Sequence, residues 1–273
     1  MSFKISPGKP FGKIILVIII TTLQFSTLKA QYINTVPERN ADTGLHKKIN
    51  WQLKKSNITF RSFALPAVMI AYGFTTLNSD GLKDFNEDVK KEVWTENPHK
   101  QIHIDNYLQF VPAIAVYGLN ISGIKGKNNL IDRSIMYVMS NVILNATVFS
   151  LKKITKQQRP DGSNYQSFPS GHTAEAFASA EFLRQEYKDV SPWYGIAGYV
   201  IATATGYLRM YNDKHWLSDV VTGAGIGMAS TKLAYWIYPK LKRTFFKKRN
   251  VNTMLMPYYN NGSGGISMVH NFH

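Results

Sequence analysis

Six apolar stretches, each long enough for a helix, dominate this chain: residues 62–78, 108–123, 133–151, 172–187, 192–210 and 216–238. No strand-length alternation competes with them before residue 250. The expected fold is therefore all-α, a six-helix bundle. Several stretches fall short of the roughly 20 residues that a bilayer crossing needs, and they carry Asn120, Asn141 and Asn145. Such helices can span a membrane as a packed bundle or build a soluble core. Charged residues are 18% of the chain, against roughly 25% in soluble proteins, which leans towards the membrane. A mean hydropathy of -0.19 leans the other way.

The flanks differ from this centre. Residues 1–30 read as an export signal or an N-terminal anchor, with Lys4, Lys9 and Lys13 ahead of the apolar run Ile14 to Ile20 and Ala30 at a cleavage position. Residues 31–107 form an N-terminal region holding the first apolar helix and a polar loop, with Trp51 and Leu53 as interfacial contacts. The core runs over 108–238, and 239–273 is a basic segment with a polar tail. In that tail, Met254 to Tyr259 and Ile266 to Val269 flank a Gly/Asn/Ser cluster and read as a β-hairpin.

The formal charge of +15 allows nucleic acid, an anionic membrane or an anionic substrate as partner. No nucleic-acid module signature is visible. Lys240, Lys242, Arg243, Lys247, Lys248 and Arg249 crowd behind the last apolar stretch, as a juxtamembrane cluster does. The chain has no cysteine, so disulfide and thiolate chemistry are excluded.

Three segments carry chemistry. The first runs from Lys152 to Arg159-Pro160, the second is Pro169-Ser170-Gly171-His172, and the third is Arg209, five residues, His215, three residues, Asp219. Alone, each has a bland reading: a basic helix end, a turn into a helix, a surface His–Asp pair. Together they supply the parts of one phosphoryl-transfer machine, which needs positive charge around three oxygens, an in-line nucleophile and a proton for the leaving oxygen. Lys152, Arg159 and Arg209 can supply the charge. The Ser170-Gly171-His172 turn opens a helix whose free N–H groups suit an anion. On a helix, His215 and Asp219 share a face. Asp219 can then hold the Nδ1 proton and leave Nε2 of His215 to attack phosphorus, giving a phosphohistidine. His172 remains as the general acid.

Lys-x6-Arg-Pro, Pro-Ser-Gly-His and Arg-x5-His-x3-Asp, in this order, resemble the signature of the type 2 phosphatidic acid phosphatase (PAP2) superfamily, which also holds class A acid phosphatases and vanadium haloperoxidases. The resemblance covers roughly residues 108–238 and implies a helical bundle, no metal and no cofactor for the phosphatase reaction. It places phosphate binding on Lys152, Arg159, Ser170, Gly171 and Arg209, the acid role on His172, the nucleophile role on His215 and the orienting role on Asp219. Leu208 departs from the Ser common in that position. The expected activity is hydrolysis of a lipid phosphate or pyrophosphate. The alternatives are an exported class A-like acid phosphatase, halide oxidation with vanadate, and a non-catalytic membrane scaffold.

Alternating helices bring the three motifs to one end of the bundle. The basic segment after 238 lies at the other end, with Lys125, Lys127 and Arg133, while loop 79–107 at the catalytic end is net acidic. The positive-inside rule then turns the catalytic end away from the cytoplasm, in a bacterial inner membrane facing the periplasm. Six spans would leave residues 31–61 in the cytoplasm, whereas a cleaved signal would export them; an exported periplasmic domain is the alternative. His99, His103 and Asp105 have a spacing a zinc site would want, but no third ligand partner is evident and a solvated loop is the better reading. Asn57-Ile58-Thr59 and Asn120-Ile121-Ser122 match the glycosylation pattern, which is common by chance.

Overall fold

The computed structural model describes residues 58–97, 99–246, 253–260 and 263–270. The expected signal or anchor, the residues Trp51 and Leu53, and Lys247 to Arg249 lie outside the described residues.

The core is all-helical. Among the described residues it has eight α-helices: α1 (Ala64–Asn78), α2 (Asp80–Lys90), α3 (Asp105–Leu108), α4 (Val111–Ile121), α5 (Leu130–Thr155), α6 (Gly171–Tyr187), α7 (Pro192–Tyr211) and α8 (Leu217–Phe246). Each of the six apolar stretches lies on a helix. The two further helices, α2 and α3, begin within 79–107, where the sequence predicts a polar loop. Charge masked the pattern there: Leu82, Phe85 and Val89 recur at helical spacing among seven acidic residues and four lysines. Beyond the helices, strands β1 (Thr253–Asn260) and β2 (Ser263–His270) pair antiparallel, Thr253 opposite His270 and Asn260 opposite Ser263.

Local chemistry sets where the long helices begin and end. Asn129 caps α5 by accepting from the Asp132 N–H at 2.8 Å, and Lys156, left-handed at φ 45°, ends it. Ser170 caps α6. Ser191 caps α7, with Pro192 at its first position.

Helix α6 is the axis of the bundle, buried along nearly its whole length, and α5, α7 and α8 pack on it. Glycines let α8 lie very close. A Cβ on Gly223 would stand 2.4 Å from the Ser170 carbonyl oxygen, and one on Gly227 would stand 2.1 Å from that of Ala174. On the other flank, a Cβ on Gly225 would meet the Pro66 carbonyl oxygen of α1 at 2.8 Å. Small residues at such spacing are how helices pack closely in a membrane.

The outer faces are apolar. On α5, Ile131, Ile135, Val138, Val142 and Phe149 are all exposed on one stripe. Two segments, Phe60–Asn78 and Leu130–Thr155, are long and apolar enough to cross a membrane. The expectation was six crossings; by length and apolarity, two helices among the described residues qualify.

Candidate active site

Antiparallel succession puts the C-terminal end of α5, the N-terminal end of α6, the C-terminal end of α7 and the N-terminal end of α8 together. Lys152, Ser170 to His172, Arg209 and Asp219 sit on those four ends. Arg159 comes from the α5–α6 loop and His215 from the α7–α8 loop. All three motifs therefore meet at one end of the bundle.

The α5–α6 loop is a closed structure. The Arg159 N–H donates to Asn164 O and the Ser167 N–H to Gln157 O, each at 3.0 Å, and the peptide Phe168–Pro169 is cis. The loop is tied to the α7–α8 loop by Lys214 Nζ to Asp161 at 2.8 Å and by Trp216 Nε1 to the Gln158 carbonyl at 2.9 Å. Lys152 Nζ donates to the carbonyls of Gln166 (2.5 Å) and Ser167 (3.3 Å). The loop carrying Arg159 is thus fixed against the helix end carrying Lys152.

His215 is buried, and its Nδ1 lies 3.4 Å from Asp219 Oδ2. That oxygen also accepts from the Trp216 N–H at 3.0 Å and from Ser167 Oγ at 2.5 Å. The carboxylate is therefore held from two loops before it meets the imidazole. Ser170 N–H donates to the Asp219 carbonyl at 3.0 Å, which joins motif two to motif three. Burial, followed by the charges of Arg209, Lys152 and Arg159, holds the His215 imidazole well below its usual pKa, so it is neutral.

The cations keep unused donors. Arg159 Nε and Arg209 Nε are buried and have no hydrogen-bond partner among the described residues. A buried unpaired guanidinium N–H is costly, and a ligand oxygen is the natural thing to satisfy it. Gly171 does not owe its place to crowding: a Cβ there would meet Val148 only at 3.8 Å.

Several residues at this end escaped the sequence reading. Asp105, set aside there as part of a solvated loop, is fully buried and pairs with Arg209 Nη1 at 2.5 Å. Asn106 Oδ1 lies 2.9 Å from His172 Nε2. Asn86 on α2 holds the start of α8 through Ser218, receiving from its N–H at 3.1 Å and donating to its Oγ at 2.9 Å. No motif marks such residues; the amphipathic spacing of α2 was the one available signal. The zinc candidate dissolves, because both ring nitrogens of His99 face carbonyl oxygens, of Asn97 and Tyr211. His99 also stacks on the Tyr211 ring at 3.5 Å.

Comparison with known proteins agrees with the motif pattern. Residues 134–243 match the PAP2 superfamily. A lipid A 1-phosphatase from Porphyromonas gingivalis is 34% identical over 174 residues, 62% of this chain and 37% of the relative. The chain thus spans little more than a third of that relative's length. A bacitracin transport permease protein, BcrC, from Bacillus licheniformis is 26% identical over 181 residues, covering 62% of this chain and 84% of its own. A PAP2-type phosphatidylglycerolphosphate phosphatase structure from Bacillus subtilis aligns at 18% identity and a TM-score of 0.42, over 70% of this chain and all of its own.

Proposed function

We propose that this chain, whose residues 134–243 match the PAP2 superfamily, hydrolyses a phosphate ester or pyrophosphate on a membrane lipid, with His215 as nucleophile. The observation that carries this reading is the buried His215 backed by Asp219, beside Arg159 and Arg209, whose buried Nε donors have no partner among the described residues.

The mechanism follows from that arrangement. Arg159, Arg209 and Lys152 hold the phosphoryl oxygens, with the free N–H groups at the start of α6 beside Ser170 and Gly171. Asp219 keeps the proton on Nδ1 of His215, so the Nε2 lone pair attacks phosphorus in line. Burial, followed by the charge of Arg209, lowers the His172 pKa to about 4; the negative charge of bound phosphate favours its protonated form, and the bond to the leaving oxygen breaks as His172 delivers that proton to it. A phosphohistidine and an alcohol or phosphate result. His172, now neutral, takes a proton from water, and the resulting hydroxide displaces His215 and releases phosphate.

A lipid substrate is supported by the surroundings. Ile102, Ile104, Tyr107 and Phe110, next to the residues that touch His172 and Arg209, are exposed, as is the apolar stripe on α5. Similarity to a lipid A 1-phosphatase makes a phosphorylated glycolipid of the lipid A type the first substrate to try. The purified protein should release phosphate from such a lipid in mixed micelles faster than from a nitrophenyl ester. Faster turnover of the soluble ester would instead favour an exported acid phosphatase.

The bundle is oriented with its catalytic end towards the periplasm. Lys125, Lys127, Lys188, Lys240 and Arg243 gather at the other end, as cytoplasmic loops do. In this cysteine-free chain, a cysteine at exposed Asp88 should react with an impermeant thiol reagent in spheroplasts, and one at exposed Lys125 only after lysis. The reverse pattern would invert the orientation.

A further inference from the structure

The segment before α4 reaches into the site from a region with no motif. Helix α3 places two neighbouring side chains against two different catalytic groups. Asp105 is fully buried and its Oδ2 pairs with Arg209 Nη1. Asn106 is exposed and its Oδ1 faces His172 Nε2 at 2.9 Å. The segment is anchored independently of both contacts. Buried Asn212, at the end of α7, accepts from the Ile102 N–H at 2.8 Å and donates to the Ile102 carbonyl at 2.7 Å. Gln101 Nε2 adds a bond to the Asn212 carbonyl at 3.2 Å. The end of α7, which carries Arg209, and the segment leading into α3 thus form one unit.

We propose that Asp105 and Asn106 are positioning residues of this site: Asp105 aims the Arg209 guanidinium at the phosphoryl oxygens, and Asn106 selects which nitrogen of His172 carries the leaving-group proton. The proposal rests on the phosphatase reading above. Asn106 Oδ1 accepts a hydrogen bond, so Nε2 of His172 keeps its proton through the cycle. Nδ1 has no hydrogen-bond partner among the described residues and is the exchanging nitrogen. In the first step the imidazolium gives its Nδ1 proton to the leaving oxygen as the P–O bond breaks. The neutral ring that remains is the Nε2–H tautomer, still bonded to Asn106. In the second step Nδ1 takes a proton from the attacking water, and the imidazolium is restored. Asp105 works differently. With one oxygen on Nη1, it leaves the unpaired Nε edge of Arg209 for the substrate.

The two residues therefore fail in different ways. Asn106→Ala should slow an alkyl phosphate by about 10–100-fold, part of the roughly 10²–10⁴-fold a general acid supplies. It should barely change a nitrophenyl ester, whose leaving group needs no proton. In a His172→Ala background the same substitution should cost nothing more, because it acts through His172. Asp105→Asn should slow both esters alike, since Arg209 holds oxygens common to both, and its cost should vanish in an Arg209→Ala background. Asn106 is exposed, so its replacement leaves packing intact; if Asp105→Asn unfolds, the Asn106 series decides the claim. Equal losses on the two esters for Asn106→Ala, or losses additive with His172→Ala, would overturn the proposal while leaving the phosphatase reading in place. A wild-type protein that hydrolyses neither ester would remove both.

Discussion

The two ends of the bundle use the same residue types for opposite purposes. At the end formed by the start of α5, the end of α6 and the end of α8, buried carboxylates are neutralised. Asp132 binds Lys242 Nζ through both oxygens, at 2.7 and 2.8 Å, and accepts from Tyr238. Glu186 accepts from Asn128 and Tyr235 and lies 3.7 Å from Arg133. Glu181, one turn and more inward, takes Arg184, Lys232, Gln185 and Tyr199. At the catalytic end the excess runs the other way. Among the described residues, Lys152 donates to carbonyl oxygens and the Nε groups of Arg159 and Arg209 have no hydrogen-bond partner. Charges that are matched lock helices together, whereas cations left short of partners make a place for an anion.

The sharpest way to break this division is to remove its centre. His215→Ala should lower turnover by about four orders of magnitude or more, because a nucleophile has no substitute. Thermal unfolding should barely move, since Asp219 keeps Ser167 and the Trp216 N–H. Retained turnover would end the assignment of His215.

The matched end should respond in the opposite sense. Glu181→Gln leaves buried Lys232 and partly exposed Arg184 without the fully buried carboxylate they share, and breaking a buried pair such as Glu181–Lys232 costs about 3–5 kcal/mol. Unfolding in detergent should therefore come at a distinctly lower temperature, while the folded fraction keeps its kcat. A large fall in kcat at unchanged stability would show that the two ends are not separable.

The smallest effect is on pH. Because burial and the three cations hold His215 below its usual value, the acid limb of kcat/KM should fall below pH ~6.5, the value of a free imidazole. Lowering the pH through the depressed value protonates the nucleophile and activity is lost. Arg159→Gln removes one of the charges responsible, so the limb should move up towards 6.5 alongside a general loss of rate. Comparison on one substrate cancels the substrate's own titration. A limb that stays in place would mean that His215 does not feel Arg159.

The meeting of the three motifs at one end of the bundle was legible in the sequence because their residues lie at or beside helix ends, where spacing along the chain fixes direction. Lys152, Ser170, Arg209 and Asp219 sit on four successive termini, and alternation alone brings them together. The contacts that hold these groups were not legible. Asp105, Asn106 and Asn86 act across 104, 66 and 132 residues of chain, and no local pattern records such a pairing. Helix α2 looks like a loop in sequence because its apolar residues are few, and Asp105 looks solvated because the segment around it is highly charged. The matched ion pairs at the other end were hidden for the same reason: Lys232 and Glu181 look like surface residues until the helices are packed.

Trapping the covalent intermediate tests the central claim most directly. Wild-type protein mixed with radiolabelled lipid phosphate and quenched in alkali should carry label on one peptide, at His215, as an acid-labile phosphohistidine. Glu181→Gln, altered only at the matched end, should carry it too, and His215→Ala should carry none. Label on His215→Ala, or an acid-stable phosphoester on a serine or threonine, would contradict the account.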